Sequence, residues 1–477
     1  MIIGLDLGTS SLSAVLFDTR KGIVSASEEC ANDAGIAGAS GDSQGQDAEI
    51  IADAACRLIG RMARSAPPGK ITGLALTGQQ HGLLAVDENL NPLTPLVTWR
   101  DRQAGASEAI RRHRHAASTG CFLHPGYGGL TLHHLISNGK LPGRTHKVFS
   151  ITGFLAARLT GRCVEDETMA ASWGLLSLRT RQWHGELLEM LGIPMAILPE
   201  IAPAGGALGP IVCPKLLKLS SHFGQVTVFS PVGDNQAGFA GACEAGGGEA
   251  VVSLGTSSQI SVFSRKRRFS PEIETRPFPG GGYLRVYAAL CGGWAYAYLA
   301  GFFQQAVARI AGIEMPLASV FERMNEFATT TDSAGLAADT RFAGERNGKG
   351  AAGAISGINT ANLTPANLTR AFAGGIAGEL AAAARRAGLL DGITRLMVVG
   401  NAASRIPLLV KALESQFGLP CRVVDQGGGT ALGAVRLVQR LRHSSRPPPP
   451  HRAFLSKPQT QTNQPSQNND AQQRTPA

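Results

Sequence analysis

The chain has no stretch approaching the ~20 uninterrupted apolar residues that a membrane-spanning helix needs, which argues against a helical membrane protein. It opens directly on an apolar, strand-like run with no basic segment or small-residue cleavage site, so no secretory signal is expected and the cytoplasm is the expected location. A CxxC pair is missing too: the cysteines at 30, 56, 121, 163, 213, 243, 291 and 421 stand singly, without zinc-type Cys/His spacing, and read as reduced structural thiols. A P-loop is absent. The run from Asp425 to Gly433 superficially resembles a dinucleotide loop, yet lacks both the GxGxxG spacing and a following acidic residue. No platform of aromatic and basic residues is present to grip single strands, so nucleic acid is not an expected partner. The net charge of +10 does not alter this, because Arg440, Arg442, Arg446, Arg452, Lys457 and Arg474 lie at the C-terminal end against a single acid there, Asp470.

What is present is an ordinary globular composition, 43% hydrophobic and 17% charged, in a chain of 477 residues. That length exceeds what one core usually supports, so two domains are expected. From residue 444 the sequence turns to Ser, Pro, Gln, Asn and Thr, too poor in large apolar groups to offset its ordering entropy, and a disordered tail is expected. Before it, strand-like runs at 2–5, 71–76, 226–229, 250–254 and 396–399 alternate with helical periodicity at 48–64, 293–310 and 366–386. The mixture is α/β.

The pentapeptide Leu-Gly-Thr-Ser-Ser occurs twice, at 7–11 and 254–258, each time between two apolar runs. Strand, tight turn and strand is the expected local structure, and the repeat points to two homologous halves. Such a turn presents backbone N–H groups and hydroxyls to an anion, so the pair is expected to hold one polyphosphate from two sides. Asp6, just ahead of the first turn, is placed to hold hydrated Mg2+. Residues 231–238 set Asp234 beside Asn235 and Gln236 after a strand, the combination of base and amides that phosphoryl transfer to a polyol requires. Gln79, Gln80 and His81 cluster at another strand end, with 83–87 expected as its hairpin partner, and Trp99 to Arg102 offers an aromatic among charges. The Gly-Ala rich stretch 238–248 is the expected hinge between the halves.

Taken in order, Asp6-Leu-Gly-Thr-Ser, Gly78-Gln-Gln-His-Gly82, Trp99-Arg-Asp101, Gly233-Asp-Asn-Gln236, Leu254-Gly-Thr-Ser-Ser258, Gly344-Glu-Arg346 and the run from Gly400 to Pro407 resemble the successive landmarks of the FGGY carbohydrate kinases. The resemblance covers residues 1–440 and is strongest to the sedoheptulokinase-type members, through Gly255-Thr-Ser-Ser-Gln-Ile-Ser261 and Arg276-Pro-Phe-Pro-Gly-Gly-Gly-Tyr283. It implies an α/β fold of two actin-like ATPase domains, each on a ribonuclease-H-like core, with an interdomain cleft. It implies boundaries at 1–243 for sugar binding and the first phosphate turn, 244–440 for nucleotide and the second turn, and 441–477 for the tail.

By the same resemblance, Asp234 is the catalytic base, and Gln80, His81, Asp234 and Asn235 bind the sugar. Thr9, Ser10, Gly255, Thr256 and Ser257 line the ATP phosphates, Gly400, Asn401 and Ser404 border the adenosine, and Asp6 acts on Mg2+ through water. The implied activity is ATP-dependent phosphorylation of a ketose hydroxyl, sedoheptulose foremost. A xylulokinase-like or other pentulose or polyol kinase, a catalytically silent sugar or nucleotide sensor, and a chaperone-like or cytoskeletal ATPase stay open as alternatives, as does a homodimer. Gln80 where Met is common, Gln103 where Arg is common, and the 426–430 segment without acidic residues depart from the family pattern.

Overall fold

A computed structural model of the chain describes residues 1–37, 44–219, 221–344, 353–424 and 429–443. The expectations placed on Glu345, Arg346, Gln426 and the tail from 444 onward lie outside these residues.

Each Leu-Gly-Thr-Ser-Ser turn joins the first two strands of a sheet. In the first sheet, Ile2–Leu7 pairs antiparallel with Ser11–Asp18, which pairs antiparallel with Ile23–Ala31. On its other side Ile2–Leu7 pairs parallel with Ile71–Gly78, which in turn pairs parallel with Phe223–Phe229. The second sheet repeats this order. Glu249–Leu254 lies antiparallel to Ser258–Ser264, that strand antiparallel to Tyr283–Ala289, and Glu249–Leu254 runs parallel to Arg395–Val399 and then Cys421–Val423. Both sheets therefore carry three antiparallel strands followed by two parallel ones: the two like halves expected from the repeat, with the ribonuclease-H-like cores that the family resemblance implies. The central strands are buried on both faces, which explains why they read as unbroken apolar runs rather than alternating ones.

Helix Ala48–Arg64 covers one face of the first sheet; Asp47 caps it by accepting from the N–H groups of Glu49 and Ile50, and Arg61 and Arg64 sit at its negative end. Helix Pro365–Arg386 packs into the core of the second sheet. Between the sheets lies a third core, where Phe239 of helix Asp234–Ala242 and Leu432 and Val435 of helix Gly429–His443 meet Ile2, Val15, Val251 and Met397. Close approach here needs glycine. A Cβ on Gly433 would stand 1.8 Å from the carbonyl oxygen of Ala237, and one on Gly4 would stand 2.3 Å from that of Ala431. Both sheets belong to one compact unit of the chain.

Two expectations are corrected. Leu84–Val86 is not a hairpin partner of the preceding strand; it pairs antiparallel with Lys147–Phe149, since the strand Ile71–Gly78 already has partners on both edges. The stretch 238–248 is helical up to Ala242, because its small residues let two helices touch, so only residues 243–248 connect the sheets. The last described helix runs through His443. No helix among the described residues is long and apolar enough to cross a membrane.

Candidate functional site

Asp234 is the first residue of helix Asp234–Ala242 and follows Val232–Gly233, which pairs with the end of Ile71–Gly78. Its Oδ1 accepts from the Asn235 N–H at 2.7 Å. Burial raises its carboxyl to about 7, the nearby negative charge of Asp6 adds to the rise, and the Arg276 guanidinium opposes it. Asp6, on the first central strand, accepts a hydrogen bond from the hydroxyl of Thr430. Burial pushes Asp6 up to about 6 against that bond, with Glu29 adding to the rise. The other oxygen of Asp6, Oδ1, is buried and has no hydrogen-bond partner among the described residues.

Beside Asp234 opens a cavity of about 460 Å³, the size of a small-molecule site. Asn235, Gly238, Gly400, Asn401, Ser404 and Thr430 are among its lining residues. Asn235 reaches across it, its Nδ2 donating to Ser261 Oγ of the second sheet at 3.0 Å. The structure thus brings Asp234 and Asn235 together with Gly400, Asn401 and Ser404. Neither Leu-Gly-Thr-Ser-Ser turn is among the lining residues.

The first turn is braced from behind. Thr9 Oγ1 donates to Gln79 Oε1 at 3.0 Å and accepts from Trp99 Nε1 at 2.9 Å; Gln79 Nε2 donates to Gln46 Oε1 at 2.8 Å, and Gln46 Nε2 returns to the Thr9 carbonyl at 2.8 Å. Asn32 Nδ2 holds the Gly8 carbonyl at 2.8 Å, and Asn32 N–H holds that of Ser10 at 3.0 Å. In the second turn the carbonyls of Gly255 and Thr256 accept from the N–H groups of Gly293 and Trp294 at 2.8 and 3.1 Å, so the turn anchors helix Gly293–Ala311. Gly255 and Thr256 are exposed, Ser10 is exposed and Ser257 half-buried.

Gln80 and His81 lie in a separate buried network. Gln80 Nε2 donates to Gln236 Oε1 at 3.2 Å and to the Thr168 carbonyl at 3.4 Å, while its Oε1 accepts from Arg276 Nη1 at 2.7 Å. His81 adopts a left-handed backbone, φ 73°, a strained conformation of the kind held at functional positions. Ser172 fixes it twice: its Oγ accepts the His81 N–H at 3.0 Å, and its carbonyl faces His81 Nδ1 at 2.6 Å. That carbonyl can only accept, so Nδ1 carries the proton and Nε2 turns its lone pair to Arg276 Nη2 at 3.4 Å. The imidazole stacks on Tyr127, centroids 4.3 Å apart. Downstream, Asp101 accepts from Gln44 N–H, Gln103 N–H and Gln103 Nε2, each at 3.0 Å, so Gln103 braces this loop.

Several members of this network carry little signal in the sequence. Arg276 stands there only as part of a longer segment, yet it is buried, paired with Glu274 at 2.7 Å and bonded to the Gln80–His81 loop. Glu274 also accepts the Tyr127 hydroxyl. Thr168 and Ser172, on helix Glu167–Ser172, have no local marker except Asp166, an acidic N-cap one residue ahead of the helix.

The chain as a whole is similar to known proteins. The mouse (Mus musculus) sedoheptulokinase is 25% identical, over 90% of this chain and 96% of that protein. The xylulose kinase of Klebsiella pneumoniae is 26% identical over 80% of this chain and 77% of that protein. A crystal structure of gluconate kinase from Lactobacillus acidophilus superposes with a TM-score of 0.80 at 23% identity, over 93% of this chain and 90% of that one. The N-terminal domain model of the FGGY family of carbohydrate kinases matches residues 1–241 and the C-terminal domain model residues 250–439, so the chain, a sugar kinase, belongs to the FGGY family of carbohydrate kinases.

Proposed function

We propose that this kinase transfers the γ-phosphoryl group of ATP to a hydroxyl of a neutral ketose, sedoheptulose first, with Asp234 as general base. The observation that carries this reading is the place of Asp234: a carboxylate that burial pushes up to about 7, lining a cavity together with Asn235, Gly400, Asn401 and Ser404. A base tuned near neutrality is matched to taking a proton from an attacking hydroxyl. In this reading the cavity holds the nucleotide, the Gln80–His81 loop holds the acceptor, and the two hydroxyl-bearing turns hold phosphates. The domain boundary falls within 243–248, the connection between the sheets.

Magnesium fits Asp6. Its Oδ1 is an anionic oxygen, buried and without a hydrogen-bond partner among the described residues. Mg2+ keeps most of its waters and leans on one or two carboxylates, a role a single buried carboxylate oxygen can serve. Bound, it would neutralise phosphate charge.

Charge selects the acceptor class. Arg276, the cation beside Asp234, spends Nε and Nη2 on Glu274 and Nη1 on Gln80. With its charge matched by Glu274, Arg276 meets the acceptor loop as a hydrogen-bond donor to Gln80, a setting suited to a neutral hydroxyl-rich sugar rather than to gluconate. A coupled ADP-release assay over sedoheptulose, xylulose, ribulose, glycerol and gluconate, with wild type and Asp234→Ala, tests this. The expected result is turnover of a neutral sugar that drops about 10²- to 10⁴-fold in the variant. Gluconate as the best acceptor, or full activity in the variant, overturns it.

A further inference from the structure

We propose that Thr168 is a positioning residue that aligns the base and the acceptor loop from one rigid piece; this rests on the reading of Asp234 as base. Asp166 Oδ1 caps helix Glu167–Ser172, accepting from the N–H groups of Thr168 at 2.7 Å and Met169 at 3.2 Å and from the Thr168 hydroxyl. A hydroxyl has one hydrogen, and here Asp166 takes it. The Thr168 oxygen is therefore left as an acceptor, and it receives the N–H of Gly233 at 2.7 Å. Gly233 is the residue that launches Asp234. The Gln80 and Gln236 amides pack directly on it, since a Cβ there would lie 2.1 Å from Gln80 Nε2 and 2.8 Å from Gln236 Oε1.

The same residue holds the other partner. The Thr168 carbonyl accepts from Gln80 Nε2, and one helical turn on, Ser172 holds His81 by both its hydroxyl and its carbonyl. Thr168, Asp166 and Ser172 are all buried. The separation between the Asp234 tether and the His81 tether is thus set by the pitch of one short helix, with no long loop between them.

Thr168→Val keeps the volume and removes the acceptor for Gly233, while leaving the carbonyl that holds Gln80. The expected result is a fall in kcat of about 10- to 100-fold with the sugar KM within about twofold, because only the base moves. Thr168→Ser, which restores the hydroxyl, recovers most of the loss. Ser172→Ala has the opposite signature, a raised sugar KM with a smaller change in kcat. Wild-type kcat in Thr168→Val, or equal losses in the Val and Ser variants, overturns the proposal. If Thr168→Val does not fold, Thr168→Cys, a poor acceptor of similar size, is measured in its place with the same two outcomes. Asp234→Ala assayed alongside separates the failures: an inactive Asp234→Ala with an unimpaired Thr168→Val removes only the role of Thr168, and an active Asp234→Ala removes the base and with it this role.

Discussion

Arg276 Nη1 donates to Gln80 Oε1 at 2.7 Å, joining residues 196 apart in sequence and carried by different sheets. The guanidinium is buried and its charge is matched by Glu274 at 2.7 Å. Arg276→Lys keeps the charge but not the planar fork, so Glu274 stays neutralised while Gln80 and His81 lose their shared donor. The acceptor KM is expected to rise about tenfold, the cost of a lost charged hydrogen bond, with thermal stability changed by only a few degrees. Steady-state kinetics and a melting curve check both; an unchanged KM would show that the latch does not shape the acceptor site.

The pH dependence follows from the sign of the Asp234 shift. A base must be ionised to act, and burial raises this one to about 7, so activity is expected above that value and lost as pH falls through it. Asp6 contributes part of the rise through its negative charge. Asp6→Asn should therefore move the titration of Asp234, followed in the metal-free protein, to lower pH, while the activity plateau drops with loss of the metal-binding oxygen. An Asp234 titration that stays in place in the metal-free variant contradicts the coupling.

Gly433→Ala forces a Cβ to 1.8 Å from a backbone oxygen, that of Ala237, which cannot rotate away. A loss of at least about 1–3 kcal/mol is expected from overpacking two helices that seal the sheets together. Gly374, in helix Pro365–Arg386, has nothing within 4 Å of where an added methyl would stand, and Gly374→Ala should stabilise by about 0.5–1 kcal/mol through helix propensity. Denaturant midpoints for the pair test the geometry: equal effects would rule out the close approach.

Glu165 and Asp166 are adjacent and buried, and burial raises both carboxyls, with the neighbouring charge adding to Glu165. Their folded pKa values exceed their unfolded ones, so the native state binds more protons, and stability falls as pH rises through the raised values. His113 works in the opposite sense, its ring held down to about 4 by burial, so folding gains from it as pH rises toward the usual imidazole range. The carboxylate effect is therefore read above pH 7. Melting temperature should decline from pH 7 to 8.5, and less steeply in Asp166→Asn; identical slopes would remove these acids as the cause.

Much of the fold could be read from the chain because its signals are local. The apolar runs 2–5, 250–254 and 396–399 and the period of helix Ala48–Arg64 are properties of neighbouring residues. The cavity residues Asp234, Gly400, Asn401 and Ser404 were legible for the same reason, each sitting at a strand end in a recognisable motif. Arg276 and Thr168 were not, because their roles depend on partners some 196 and 65 residues away. The pairing of Leu84–Val86 with Lys147–Phe149 was hidden in the same way.

The repeated pentapeptide shows where the division lies. Composition and pattern determined that each copy of Leu-Gly-Thr-Ser-Ser is a turn between two strands, for glycine and hydroxyl residues between apolar runs have few other uses. Only the tertiary structure decided how each turn closes. The first copy closes with Leu7 opposite Leu12 and is braced by Asn32, Gln46, Gln79 and Trp99, whereas the second closes with Leu254 opposite Ser258 and gives its carbonyls to helix Gly293–Ala311. Identical residues take different registers because the hydrogen-bond partners that fix a turn come from distant parts of the chain, and folding alone brings those parts to it.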